Sequence, residues 1–420
     1  KSALPVMALE QTPQVQGALL SMDAATGEVI SMVGGYDFVE SEFNRTIQAL
    51  RQPGSAYKPI IYSAAVDKGY TPVTIIQDSP IVFDAGEGTK WKPENFEEKF
   101  YGDTPFRSAL IRSRNVPTIK IVQDVGIPYL IEYSKRLGIG EHLSNDLSIA
   151  LGSSSATLLD LVKVYAVYPR GGRLVKPVFL SKVIGSDGKI LEENNPTPNA
   201  PPLNLDLPPP PKPVKVCGEL QAEISSGIDI KRGEFVADPA DPDRVIDPRT
   251  AYVMTHLMNE VTTMGTGSEA KNLGRASAGK TGTTNDYIDA WFMGFTQHVV
   301  TGVWAGFDTQ KTIAPKATGA AVSLPIWLDF MKEAVKNYPD EDFAVPKGIT
   351  FTTIDAKTGR KAALKAPGSV LEAFVEGTEP GGTYTGSGTP GDNNPAKNSP
   401  NAPQDGDSEP SNEEFLKQDI

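Results

Sequence analysis

Apolar positions fall into two regimes along this chain. Near both ends they come in short strand-length blocks, and through much of the middle they recur at helical spacing. Residues 15–22 and 28–33 are strand-like, and Asp23-Ala-Ala-Thr-Gly27 between them carries the turn chemistry of a hairpin loop. After Gln52-Pro53, the Gly54-Ser55 pair opens a helix whose buried face holds Ile60, Ile61, Ala64 and Ala65. Pro59 still lies in the first turn, where proline is tolerated. Residues 104–170 read as largely helical, with apolar spacing through Leu110 and over 119–122, 130–137 and 158–168. Another helix starts at Pro248 and contains residues 251–258. Three strands are expected at 276–283, 289–296 and 299–307, and one more hairpin from 349–354 with a turn at 355–359. Strands at both ends of a mostly helical middle imply one sheet closed by distant segments, with helices packed against it. No repeat of about 20–50 residues is present, which excludes a solenoid.

Composition changes this picture in three places. Residues 191–247 are polar and proline-heavy, with Pro208 to Pro211 consecutive, and read as an exposed insertion. Beyond about Gly377 the Gly, Pro, Asn, Ser and Asp content cannot supply a packed core, so disorder is expected there. The chain carries a net charge of −12, of which −7 sits in residues 376–420. The remaining body is close to neutral and has no basic stripe interleaved with aromatics, which argues against nucleic acid as a partner. Cys217 is the single cysteine, so no intramolecular disulfide framework exists and a loop thiol is the expected reading. His142, His256 and His298 are scattered without ligand spacing, so neither a metal site nor any other cofactor is inferred. No G-x-S-x-G elbow precedes a helix. No run of about 18 apolar residues occurs, and Lys1 opens on no secretory leader. Residues 1–14 read as mid-protein, so the chain is expected to be a piece or processed form of something longer.

Three short motifs carry the chemistry. Ser55-Ala-Tyr-Lys58, Ser113-Arg-Asn115 and Lys280-Thr-Gly282 follow one another in the order S-x-x-K, S-x-N, K-T-G, a set associated with acyl-serine enzymes of the β-lactamase and penicillin-binding type. Each is weak alone. S-x-x-K recurs at 186–189 and 268–271, S-x-N at 399–401 and K-T-G at 357–359. Context separates them. The 186–189 and 357–359 copies lie in turn sequences, and 399–401 lies in the tail. Only the set at 55, 113 and 280 joins a helix start, a loop in a helical region and a strand of small residues. A serine hydroxyl needs a base to attack at neutral pH, and Lys58 sits one turn on, at i+3. To act it must be neutral, and burial together with the charge of Lys280 would depress its pKa. Ser113 is placed to relay a proton to a leaving amine, and Asn115 to hold the lysine or a substrate amide. As plain capping or turn residues, Ser113 and Asn115 would need no such roles. Gly282 would let a substrate backbone approach the strand edge. Lys280, Thr281 and Thr283 suit a C-terminal carboxylate, and the N–H groups of Ser55 and Thr283 suit an oxyanion hole.

Longer phrases around these motifs resemble the transpeptidase domain of class A penicillin-binding proteins: Arg51-Gln-Pro-Gly-Ser-Ala-Tyr-Lys-Pro59, Ser113-Arg-Asn-Val116 and Ala278-Gly-Lys-Thr-Gly-Thr-Thr-Asn-Asp286. Gly17-Ala-Leu, residues 23–30 and 32–37, Ala150-Leu-Gly152 and residues 289–295 are similar as well. The likeness covers roughly 15–185 and 245–350. It implies a mixed α/β (α+β) fold, a five-stranded antiparallel sheet flanked by helices with an all-helical subdomain. It also implies a peptidoglycan stem peptide ending in D-alanyl-D-alanine as donor, an acyl-enzyme on Ser55, and β-lactams as covalent inhibitors acting at the extracytoplasmic face of an inner membrane. Domain boundaries follow: an upstream linker or accessory end at 1–14, the transpeptidase domain at 15–375 with the insertion at 191–247, and an acidic tail at 376–420. The family's glycosyltransferase domain and membrane anchor are not in this sequence, so membrane contact would come only through a missing anchor. Rival readings stay open. A D,D-carboxypeptidase differs only in using water as acceptor, which motifs do not report. A serine β-lactamase needs a deacylating base, and Glu141-His-Leu-Ser-Asn145 fits that pattern superficially. A β-lactam sensor would need a coupled regulatory domain.

Overall fold

The computed structural model describes residues 11–84, 90–194 and 241–381. The upstream end at 1–10, Cys217, most of the 191–247 insertion and the tail from 382 lie outside the described residues. A five-stranded antiparallel sheet is built from β1 (Gln16–Asp23), β2 (Val29–Val33), β3 (Ala278–Thr283), β4 (Asp289–Phe295) and β5 (Val299–Gly306), in the order β2-β1-β5-β4-β3. The expected closure by distant segments is thus observed. β1 pairs with β5 from Gln16 opposite Gly306 to Asp23 opposite Val299. Strand ends fall within two residues of those expected.

Alternation along β1 shows why the sheet is buried on both faces. Leu20 and Met22 join one core cluster with Trp291, Met293, Phe295 and Trp304, against the helices. Leu19 joins the other, with Phe292, Val299, Val303 and the Leu324, Trp327, Leu328 and Met331 side of a single helix, Gly319–Ala334. That helix, called α7 below, was not anticipated. Pro325 inside it breaks the helical signature, yet Thr318 caps its start by accepting from the Ala321 N–H at 3.2 Å.

The helical side contains α1 (Lys58–Asp67), α2 (Phe106–Ile111), α3 (Asn115–Val125), α4 (Ile127–Arg136), α5 (Leu158–Val167) and α6 (Pro248–Thr263). The region expected to be helical between 104 and 170 is therefore divided, most sharply at Ser113, whose φ of +58° turns the chain between α2 and α3. A serine rarely adopts this left-handed conformation, and where it does the strain marks a site over-determined by its surroundings. The turn at 355–359 forms as expected, with Asp355 Oδ1 accepting from the Thr358 N–H at 2.7 Å. It closes a short hairpin, with Ile354 opposite Lys361 and the Ala362 N–H donating to the Thr353 carbonyl at 2.9 Å, while the longer partner of strand Ile349–Asp355 is Ser369–Val375. Among the described residues no helix is long and apolar enough to cross a membrane.

Candidate active site

Ser55 does not sit on α1 itself. It lies in a single 3-10 turn, Gly54–Tyr57, that feeds directly into α1 at Lys58. In such a turn residues three apart eclipse, so the Ser55 and Lys58 Cβ atoms project to the same side. Three glycines fix where this turn sits. Gly54 has φ +53°, and a Cβ there would lie 2.6 Å from the Thr283 carbonyl oxygen. At Gly152, φ +71°, a Cβ would lie 2.1 Å from the Gly54 carbonyl oxygen. A Cβ on Gly282 would meet the Pro53 carbonyl oxygen at 2.6 Å and the Ala56 Cβ at 3.0 Å. Gly282 is therefore needed for close packing of the serine turn onto β3, a different reason from the substrate approach that its place in the motif implied.

Lys58 and Lys280 are both fully buried and face the same hydroxyl. Lys280 Nζ donates to Ser113 Oγ at 2.9 Å, and Lys58 Nζ lies 3.4 Å from that oxygen. Lys58 Nζ also donates to the Ser113 carbonyl at 2.6 Å, the Arg114 carbonyl at 3.1 Å and Asn115 Oδ1 at 2.9 Å. The left-handed turn at Ser113 is what aims both its carbonyl and its hydroxyl at the amine. Burial lowers the Lys58 pKa well below the ordinary lysine range, and the neighbouring Lys280 charge lowers it further. Burial alone brings Lys280 down to about 7. The carbonyl oxygens around Lys58 solvate an ammonium and pull the other way, but desolvation is the larger effect.

One expected contact is not made. Among the described residues the half-buried Ser55 hydroxyl forms no hydrogen bond, and Lys58 points to the 113–115 loop. The serine is left available to a ligand, and apo geometry at such sites is often loose.

The edge of β3 is also available. Thr284 N–H donates to the Asp289 carbonyl at 3.2 Å, so the bonded pairs of this antiparallel ladder continue at Gly282 and Lys280. The N–H and C=O of Thr281 and Thr283 consequently point to the free edge, beside the Ser55 turn, where the Thr281 carbonyl also accepts from Lys280 Nζ at 3.2 Å. The Ser55 N–H is one of the unpaired donors that open a helix. The threonine hydroxyls have protein partners: Thr281 Oγ1 contacts Thr266 Oγ1 at 2.8 Å, and Thr283 Oγ1 accepts from the Gly319 N–H at 3.0 Å. Each keeps capacity for a further hydrogen bond.

One positioning residue escaped the sequence reading. Asn95 is buried and its Oδ1 accepts from the Asn115 N–H at 2.9 Å, while its amide donates to both Asp78 carboxylate oxygens at 2.9 Å. Asn115 is further held by donating to the Glu94 carbonyl at 3.0 Å. Nothing in the irregular segment around Asn95 carries a periodic signal that could have revealed this brace.

Comparison with known proteins agrees with this geometry. The family profile described as "Penicillin binding protein transpeptidase domain" matches residues 17–332. Penicillin-binding protein 1A of Pseudomonas aeruginosa is 38% identical over 398 residues, covering 91% of this chain and 48% of the relative. The Aquifex aeolicus penicillin-binding protein 1A is 36% identical over 372 residues, covering 88% and 45%. The chain thus spans about half the length of the curated relatives it matches. Among solved structures, penicillin-binding protein 1A from Haemophilus influenzae superposes with a TM-score of 0.76 at 30% identity, over 90% of this chain and 55% of that one. PonA1 from Mycobacterium tuberculosis, solved in complex with penicillin V, shares the fold with a TM-score of 0.61 at 23% identity, over 80% and 82%.

Proposed function

The chain belongs to the penicillin-binding protein transpeptidase domain family, and from that premise we propose that it cross-links peptidoglycan stem peptides through an acyl-enzyme on Ser55. The donor peptide, ending in D-alanyl-D-alanine, lies along the free edge of β3, hydrogen-bonding to the outward groups of Thr281 and Thr283. Its terminal carboxylate is received by Lys280 and the two threonine hydroxyls. Lys58 takes the Ser55 proton as Oγ attacks the penultimate carbonyl carbon. The oxyanion that forms is met by the N–H groups of Ser55 and Thr283, each such donor contributing about 3 kcal/mol of transition-state stabilisation. As the intermediate collapses the C–N bond breaks, and the proton reaches the departing D-alanine amine by way of Ser113. An acceptor amine from a neighbouring stem then attacks the ester and gives up a proton to the neutral Lys58; the bond to the Ser55 oxygen breaks, and Ser55 takes that proton back from Lys58. Asn115, braced by Asn95, orients Lys58 through this cycle.

One observation carries the reading: two buried lysines share the Ser113 hydroxyl on the floor beneath the Ser55 turn. β-Lactams present a strained amide to the same serine and acylate it. The whole protein is proposed to act on the extracytoplasmic side of the membrane, joined there to glycosyltransferase and anchor segments outside this sequence.

Intact-mass measurement after brief incubation with a labelled penicillin tests the assignment. Wild type should gain one adduct that survives for minutes, and Ser55→Ala none; labelling of the variant, or loss of the wild-type adduct within seconds, would overturn it. With a pentapeptide donor and an added amine, an aminolysed product is expected. Release of D-alanine to water alone would identify a carboxypeptidase.

A further inference from the structure

Away from the serine site, α6 and the C-terminal hairpin enclose a second polar cluster that the proposed reaction does not use. His256 and Glu260 stand four residues apart on one face of α6, and Glu372 projects from the Ser369–Val375 strand. One ligand-type atom from each of the three lies within 4.8 Å of the others. Arg107 of α2 occupies only half of this cluster: its Nε donates to Glu372 Oε2 at 2.6 Å and its terminal nitrogen to Glu260 Oε1. The atoms on the other half are the unusual ones. Glu260 Oε2 and His256 Nε2 are buried without any hydrogen-bond partner, and the Glu260 side chain is 7% exposed. His256 Nε2 lies 3.4 Å from Glu372 Oε1.

A lone pair facing carboxylate oxygens is repulsive unless a proton or cation lies between them. The imidazole is prepared for the second case. Nε2 is the ring nitrogen that faces the carboxylates, and it is buried there with no hydrogen-bond partner, the place a metal-ligating nitrogen would take. The 3.4 Å separation equals the ligand-to-ligand edge, about 3.4 Å, of a tetrahedron with metal–ligand bonds of about 2.1 Å. One nitrogen and two carboxylate oxygens with a remaining position for water suit zinc or another first-row divalent ion rather than magnesium, which keeps several waters. The His256 side chain is 20% exposed, giving an approach from that side. Sequence spacing did not reveal the set because Glu372 is over a hundred residues from its partners and only one histidine takes part.

We propose that His256 Nε2, Glu260 Oε2 and Glu372 Oε1 bind a divalent transition-metal ion that clips the C-terminal hairpin to α6. The test uses the intact chain, stripped with chelator and dialysed, then titrated with Zn²⁺ or with Mg²⁺ alone. Zn²⁺ should bind at one equivalent and raise the unfolding temperature, and Mg²⁺ should do neither. Co²⁺ in place of Zn²⁺ should give the intense visible bands of a four-coordinate site. His256→Gln and Glu372→Gln, which keep size and the Arg107 contacts, should each weaken Zn²⁺ binding at least about tenfold and abolish the cobalt spectrum. Both are checked first for an unchanged circular dichroism spectrum, and His256→Gln, at the periphery, is the variant expected to fold in every case. Absence of one-equivalent Zn²⁺ binding by wild type, or undiminished binding by folded His256→Gln, would overturn the proposal and leave a proton as the cluster's counterion.

Discussion

Helix α2 lies between two buried charge clusters built on opposite principles. At the serine site, just beyond its C-terminal end, two lysines face one hydroxyl with no carboxylate among the described residues hydrogen-bonded to either, and burial drives both pKa values down. Within α2, Arg107 is enclosed by Glu260 and Glu372, and the ions are kept as pairs while burial lifts both acids to about 7. The first arrangement makes an amine reactive by withholding a counterion. The second joins three segments, 153 and 265 residues away from Arg107, by supplying them. A buried charge without its opposite is costly for stability and useful for chemistry; a paired one fixes architecture.

Substitutions in each cluster should therefore fail in different ways. Lys58→Ala should slow acylation by a labelled penicillin about a thousandfold, in the range for loss of a general base, with the unfolding temperature held or raised. Normal labelling would show that another group activates Ser55. Arg107→Met should do the reverse. It leaves two carboxylates buried without their cation, costing about 3–5 kcal/mol in denaturant unfolding, and a cost under about 1 kcal/mol would dissolve the contrast. Gly282→Ala tests the geometry between the clusters, since its new Cβ would lie 2.6 Å from the Pro53 oxygen. Displacing the serine turn should destabilise the fold by about 1–3 kcal/mol and slow acylation more than it weakens noncovalent binding. Lys280→Met sharpens the electrostatic side. Between the folded value of about 7 and the ordinary 10.5, the unfolded chain holds the extra proton, so the native lysine makes stability rise with pH across that window. The variant should lose this slope, gaining most over wild type below pH 7 and nothing above about pH 10.5.

Much of this was readable from the residues because it is local. The eclipsed Ser55 and Lys58, the hairpin of β1 and β2, and the small residues of β3 each declare themselves within a few positions. The converging set at 58, 113 and 280 was legible from motif order and context. What stayed hidden depends on partners distant in sequence. Asn95 braces Asn115 from an irregular segment, and Gly282 is required by Pro53 and Ala56, not by anything beside it in β3. The Ile349–Asp355 strand pairs briefly across its turn, Ile354 with Lys361, but its full-length mate at 369–375 had no signal beside it. Helix α7 was missed because Pro325 interrupts a segment whose real determinant is the apolar face of the sheet above it.

The protonation state of Lys58 is the point on which the serine chemistry turns. The acylation rate of wild type by a penicillin, followed from about pH 5 to pH 10, reads it directly. A neutral buried amine predicts a rising limb displaced well below the ordinary lysine value of 10.5, with the plateau reached before that value. A rate still climbing tenfold per pH unit through pH 9 would mean that Lys58 is an ammonium in the folded protein, and would contradict the assignment of that amine as the base for Ser55.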